Sequence, residues 1–270
     1  MSVFSICDSV KAGRRMDYIL LGKTNLLVSR TALGTMALAN VPGDDAAAKV
    51  INLAYESGVN FFDTARSTEE SERRLGKALH GSIRKDIFIA TKTRARDSVS
   101  LAEDIDQSLT TLETDYIDLY QLDNPPSLPE FVGSDGIVDT LLKFRAKGVI
   151  HHFGIATESL EIARAALYSS VDWETIQFPF NILCGSDIEE LSRDCEQKNI
   201  GFIGMKPLSG GVISNIPLAL GYIRRFENVI PVWGVHNDEE LRQILYFAEN
   251  PPRIDEQFKA EAEKLRMFFN

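Results

Sequence analysis

The chain has 270 residues, 44% of them hydrophobic and 25% charged, and its 29 Lys and Arg against 39 Asp and Glu leave a formal charge of −10. That composition is able to bury a large core and excludes collagen-like and disordered classes, while the acidic excess, without any basic stripe, argues against a nucleic-acid partner. Cys7, Cys184 and Cys195 are widely spaced and form no CxxC, so neither a disulfide framework nor a metal site is expected.

In chain order, residues 1–16 read as an N-terminal extension and 17–270 as one domain. MSVFSICDSVKAGRRM lacks the layout of a cleavable signal, and no run approaches the roughly 18 apolar residues of a membrane span. A cytoplasmic protein with no membrane partner is the expectation. YILLGKTNLLVS reads as an N-terminal β-hairpin that closes a barrel floor. Short apolar runs then recur at 31–35, 59–63, 87–92, 117–122, 149–155, 174–180, 200–205 and 229–234, each followed by a polar segment. Those segments, such as DDAAAKVINLAYESG, SLAEDIDQSLTTLET, SLEIARAALYSS, DIEELSRDCEQKN and NDEELRQILYFAEN, carry apolar residues at three- and four-residue spacing and begin near capping residues. IDEQFKAEAEKLRMFF reads as a final surface helix. Eight strand-and-helix alternations predict the α/β class and a single (β/α)8 TIM barrel. An open doubly wound sheet is disfavoured because no GxGxxG follows the first strand.

Barrel active sites form at the carboxyl ends of the strands, which directs attention to Thr35, Asp63, Lys92, Asp123, Thr157, Gln177, Lys206 and Asn237. Strand alternation places Phe61 with Asp63, Ala90 with Lys92, and Gln121 with Asp123 on inward faces. Asp63, Lys92 and Asp123 therefore converge on one mouth. Two carboxylates sharing one ammonium are expected to couple, raising one carboxyl pKa.

The pieces FFDTA, SERRLGKAL, IATK, DYIDLYQL, KGVIHHFGI, QFPFN and MKPLSGG, in this order and at barrel spacing, resemble the aldo-keto reductases, and the resemblance runs from YILLGKTNLLVSRTALGT to HNDEELRQIL. It implies a nicotinamide cofactor that delivers hydride to a carbonyl, while a Tyr activated by a Lys–Asp pair donates the proton and a His orients the substrate. Asp63 and Lys92 match that Asp and Lys. The Tyr position, five residues after the Asp, holds Thr68, and the His position holds Asp123, in LDNP. An aliphatic alcohol is far too weak an acid to replace an activated Tyr. Asp123 is then the candidate acid, with one of the two Asp acting as a base as the alternative, and Asp63, Lys92 and Asp123 are the candidate catalytic set.

The same resemblance places Gly34, Thr35, Thr157, Gln177, Met205, Lys206, Pro207, Leu208, Ser209, Gly210, Gly234, Val235, His236, Asn237, Glu240 and Gln243 around NAD(P)H. Gln177 falls at the nicotinamide amide and Met205 beneath the ring. Glu240 occupies a position where members preferring NADPH carry Arg, so NADH is favoured. The expected function is an atypical NAD(P)-dependent oxidoreductase acting on a small carbonyl or hydroxyl compound, with no expectation about oligomeric state. Two rivals stand beside it: a non-redox acid–base enzyme using Asp63, Lys92 and Asp123, and a catalytically silent dinucleotide-binding protein.

Blander roles compete locally. Ser67 to Glu70 reads as a capping box for the SERRLGKAL helix, with Thr68 in its first turn. Arg66 reads either as an anion-binding group or as a solvated one. His151 and His152 belong to barrel packing, and Tyr120 faces the helices.

Overall fold

The chain, described from a computed structural model, is defined over residues 16–130 and 136–269. The expected extension therefore lies, apart from Met16, outside the described residues. The chain opens with an antiparallel hairpin of β1 (Tyr18–Leu20) and β2 (Leu27–Ser29). Eight parallel strands then close a barrel: β3 (Ala32–Gly34), β4 (Phe61–Asp63), β5 (Phe88–Thr93), β6 (Ile117–Asp123), β7 (Ile150–Ala156), β8 (Thr175–Pro179), β9 (Gly201–Met205) and β10 (Val229–Gly234). Each strand pairs with the next, and β10 returns to β3. Every apolar run expected to be a strand coincides with one, β5, β6 and β7 each running one residue further.

Helices alternate with these strands on the outside: α1 (Asp44–Glu56), α2 (Glu69–Ala78), α3 (Ser98–Thr111), α4 (Ile137–Ala146), α5 (Leu160–Leu167), α6 (Ser186–Gln197), α7 (Ile216–Ile223) and α8 (Asp238–Glu249), with α9 (Glu256–Phe269) as the tail. Two cores follow from strand alternation. Outward-facing residues such as Phe62, Ile89, Tyr120, Phe153 and Phe202 bury against the helices. Inward-facing Phe61, Ala90, Leu119, Ile203 and Ile230 fill the barrel from below.

Leu21, Leu26 and Val28 of the hairpin belong to that inner cluster and close the floor, as the sequence predicts. Contact there is close enough that a Cβ at Gly22, whose φ is +52°, would stand 2.3 Å from the Gly201 nitrogen. The floor is thus sealed by apolar packing. The polar residues collect at the opposite, carboxyl end.

Candidate active site

Lys92 lies two residues past Ala90 on the inward face of β5, and Asp63 ends β4 beside it. The Lys92 ammonium donates to Asp63 Oδ1 at 2.7 Å, to Asp63 Oδ2 at 2.8 Å and to the Thr64 carbonyl at 2.8 Å. With side chains only 6% and 5% exposed, this is a buried ion pair whose three contacts match the three N–H groups of an ammonium. Reaching a bound molecule requires Lys92 to exchange one of them.

Asp123 is at the same mouth but does not share Lys92. Its Oδ2 accepts from Arg94 Nε at 2.9 Å, and its Oδ1 from Asn124 Nδ2 at 3.2 Å. The register explains the separation. Lys92 pairs with Gln121, so Asp123 stands two residues further along β6, about 6.5 Å nearer solvent. The expectation of two carboxylates coupled through one ammonium is corrected accordingly: each has its own cation. Arg94, which has the same strand parity as Lys92, carried that signal in the sequence.

Below Asp123, Gln121 is fully buried, and among the described residues neither atom of its amide has a hydrogen-bond partner. Gln177 Oε1 is likewise buried without a partner. Buried amides are ordinarily satisfied, so these atoms mark places where a bound molecule or water completes the structure.

Behind the site, Glu72 on α2 is a residue that sequence reasoning missed. Completely buried, it accepts from Arg66 at 2.6 Å and from the hydroxyls of Thr91 and Ser108 at 2.7 Å each. Its spacing from Leu75 and Leu79 places it on the apolar helix face, which was the available signal. Arg66 also bonds Thr111 Oγ1 and pairs with Glu69, so it is neither solvated nor an open anion site. Burial pushes the Glu72 carboxyl above the usual range, opposed by the Thr91 and Ser108 hydroxyls. A carboxyl raised on folding adds stability that is complete below its unfolded pKa and is lost as pH climbs through its folded value. Stability should therefore fall over a pH window opening near 4.5 and running upward, and Glu72→Gln should remove that part of the slope. Denaturant midpoints at pH 4, 6 and 8 measure it, and identical slopes in both proteins would refute it.

The expected capping box is not formed. Thr68 is the N-cap of α2 and its side chain caps nothing, while the Glu70 oxygens accept from Arg73 and Arg74, since charged donors outcompete a backbone amide. Tyr120 faces the helices as expected, and burial pushes its hydroxyl well above the ordinary value. His151 and His152 sit at the amino end of β7, where His152 bonds Glu174 at 2.7 Å.

The residues assigned to a dinucleotide gather at the carboxyl end, on β3 and β7 to β10, the loops after them and the first turns of α8. Their fit is uneven. Gly210 and Gly234 have nothing within 4 Å of a would-be Cβ, which leaves room for close approach, and Gln177 offers its free acceptor. Pro207 and Val235 are buried, Met205 and Leu208 partly so, and Gln243 is exposed. Gly34 adjoins the Val232 side chain, and the hydroxyls of Thr35 and Thr157 are engaged, by Ser71 and by the Ser159 amide. Lys206, at φ +56°, pairs with Glu158, and Ser209 has φ +49°. At α8, Asn237 Oδ1 accepts from the Glu240 amide, and Glu240 Oε2 accepts from the His236 amide at 2.8 Å. A carboxylate of the protein thus occupies one amide at that helix start.

A closed parallel barrel with polar and charged residues collected at its carboxyl mouth is the architecture of a (β/α)8 enzyme. The sequence pattern of the aldo/keto reductase family matches residues 30–217, and the chain belongs to that family. It is 27% identical to the uncharacterized oxidoreductase YqkF of Bacillus subtilis over 212 residues, covering 73% of this chain and 67% of that protein. With aldo-keto reductase YhdN of the same organism it shares 28% over 184 residues, 62% of this chain and 54% of that one. The chain thus spans between about half and two thirds of these relatives. Aldo-keto reductase AKR11C1 from Bacillus halodurans, in its holo form, has the same fold, with a TM-score of 0.80, 23% identity, and coverage of 93% and 96%.

Proposed function

We propose that the protein is an atypical NAD(P)H-dependent oxidoreductase, with NADH favoured, that interconverts a small carbonyl compound and its alcohol in the cytoplasm. The observation that carries this reading is the buried Lys92–Asp63 pair at the barrel mouth. A bound nicotinamide supplies or accepts the hydride. Asp63 holds the Lys92 ammonium at the base of the mouth, and exchange of the Thr64 carbonyl contact lets one N–H meet a substrate oxygen that gains negative charge. Lys92, rather than a Tyr, is then the group nearest to stabilise and protonate that oxygen. Thr68 contributes no acid. Asp123, bound on both oxygens, shapes the mouth through Arg94.

Gln177 fits the carboxamide of the nicotinamide through its unpartnered Oε1, and the open backbone at Gly210 and Gly234 fits the rest of a dinucleotide. Preference for NADH rests on Glu240, whose carboxylate opposes a 2′-phosphate: two like charges about 5 Å apart at an effective dielectric near 20 repel by a few kcal/mol before screening. NADH should bind at least tenfold more tightly than NADPH. Glu240→Gln keeps acceptors for the His236 amide and should narrow the gap; Glu240→Arg should narrow it further or invert it. Fluorescence titrations with both nucleotides test this, and tighter NADPH binding by the unaltered protein would overturn the preference.

A further inference from the structure

The corner of the mouth between β5 and β6 holds two guanidinium groups and one carboxylate. Arg94 gives only its Nε to Asp123 Oδ2, and its side chain is 67% exposed. Among the described residues its two terminal nitrogens, with four N–H groups, have no partner. Arg96 spends its donors on main-chain oxygens: Ala95 O at 2.8 Å, Asp123 O at 2.7 Å and Asn124 O at 3.0 Å. The nearby Asp97 carboxylate is committed elsewhere, to the Val99 and Ser100 amides that start α3. Burial lowers the Arg96 pKa; the Asp123 carboxylate opposes this and Arg94 adds to it by a smaller amount. The excess of guanidinium over carboxylate stands out on a chain of net charge −10. Lys92 and Lys206 are each matched by one carboxylate, Asp63 and Glu158, whereas here Arg94 pairs with Asp123 and Arg96 bonds only main-chain oxygens.

We propose that Arg94 is the substrate-recognition group of the mouth, held in place by Asp123, and that the substrate is a short carbonyl compound carrying an oxyanion, a carboxylate or a phosphate, several carbons away from its carbonyl. This rests on the oxidoreductase reading for the carbonyl end alone; the oxyanion end stands on Arg94, Arg96 and Asp123. The free fork of an Arg held at Nε matches the two oxygens of a carboxylate or phosphate. Spacing sets the chain length. Asp123 is about 6.5 Å further out along β6 than the residue level with Lys92, so an oxygen at Lys92 and an anion at Arg94 are too far apart to sit on adjacent carbons. A chain with its carbonyl and acid at opposite ends spans that offset; a 2-oxo acid does not. Asp123 is then a positioning residue, and Arg94 a specificity residue.

The test compares a five-carbon ω-oxo acid, its methyl ester and the 2-oxo acid of equal length, with NADH as reductant. The ω-oxo acid should show a kcat/KM at least tenfold above both, and the advantage should shrink as salt rises. Arg94→Gln should bring the acid-to-ester ratio near one, and Arg94→Lys should recover part of it. Asp123→Asn should raise KM for the acid more than it lowers kcat. Lys23→Gln, at the barrel floor, should leave the ratio unchanged. Independently, butyrate and inorganic phosphate are titrated into the protein without nucleotide, followed by calorimetry against a chloride control. Saturable binding of either that Arg94→Gln abolishes supports the site and tells carboxylate from phosphate. If that binding is present but no carbonyl is reduced, the oxidoreductase reading fails and the anion site stands. If neither anion binds, or binding and preference persist in Arg94→Gln, the proposal is overturned.

Discussion

Lys92→Met should produce the largest loss of any single substitution, in turnover and in stability together. Removing the ammonium leaves Asp63 as a buried carboxylate, 5% exposed, that has lost its cation. Breaking a buried pair from one side typically costs about 3–5 kcal/mol, because the remaining charge is neither solvated nor paired. In a chain of this size that corresponds to a fall in melting temperature of roughly 10 °C. Turnover should drop by at least about 10²-fold, since the group that stabilises and protonates the substrate oxygen is gone. The two effects separate in the double variant. Asp63→Asn with Lys92→Met removes both charges, so the melting temperature should largely recover while turnover stays lost. Scanning calorimetry and NADH oxidation rates on the three proteins decide it. Full turnover in Lys92→Met would show that the chemistry lies elsewhere in the mouth.

A gain of function is expected from Thr68→Tyr. Thr68 is the N-cap of α2 but its side chain caps nothing, so the replacement forfeits no hydrogen bond. The position is partly exposed, and a ring there is not forced into a packed core. If the Tyr hydroxyl reaches Lys92, the ammonium can give up its contact with the Thr64 carbonyl, the one of its three that does not involve Asp63. A general acid placed this way typically contributes about 10²–10⁴-fold, so reduction of simple uncharged aldehydes should rise by at least tenfold. The rate should then fall at high pH as the phenol ionises. Adding Asp123→His should help uncharged aldehydes further, yet it removes the anchor of Arg94, so the same double variant should lose ground on ω-oxo acids. Unchanged aldehyde rates in a Thr68→Tyr protein with native circular dichroism would mean that α2 holds residue 68 away from Lys92.

The fold was legible in the sequence, because backbone periodicity is a local property. Apolar runs of five or six residues with amphipathic helices between them specify parallel strands buried on both faces, and eight of them specify closure. The hairpin floor, the inward parity of Asp63, Lys92 and Asp123, and the outward parity of Tyr120 follow from alternation alone. Pairing between side chains on different elements is another matter, since it depends on stagger between strands and on competition among donors. Register puts Lys92 level with Gln121 and lifts Asp123 out of its reach, which gave Asp123 to Arg94. Packing of α2 against β5 and α3 drew Arg66 inward to Glu72 and away from the solvent. The capping box failed because two guanidinium groups on the same helix claimed Glu70. The sequence by itself determined that Asp63, Lys92 and Asp123 point into one end of the barrel; the tertiary structure added Arg94 and Arg96 and decided which charges neutralise one another there, because an ion pair is fixed by distances of a few ångströms that no spacing along the chain encodes.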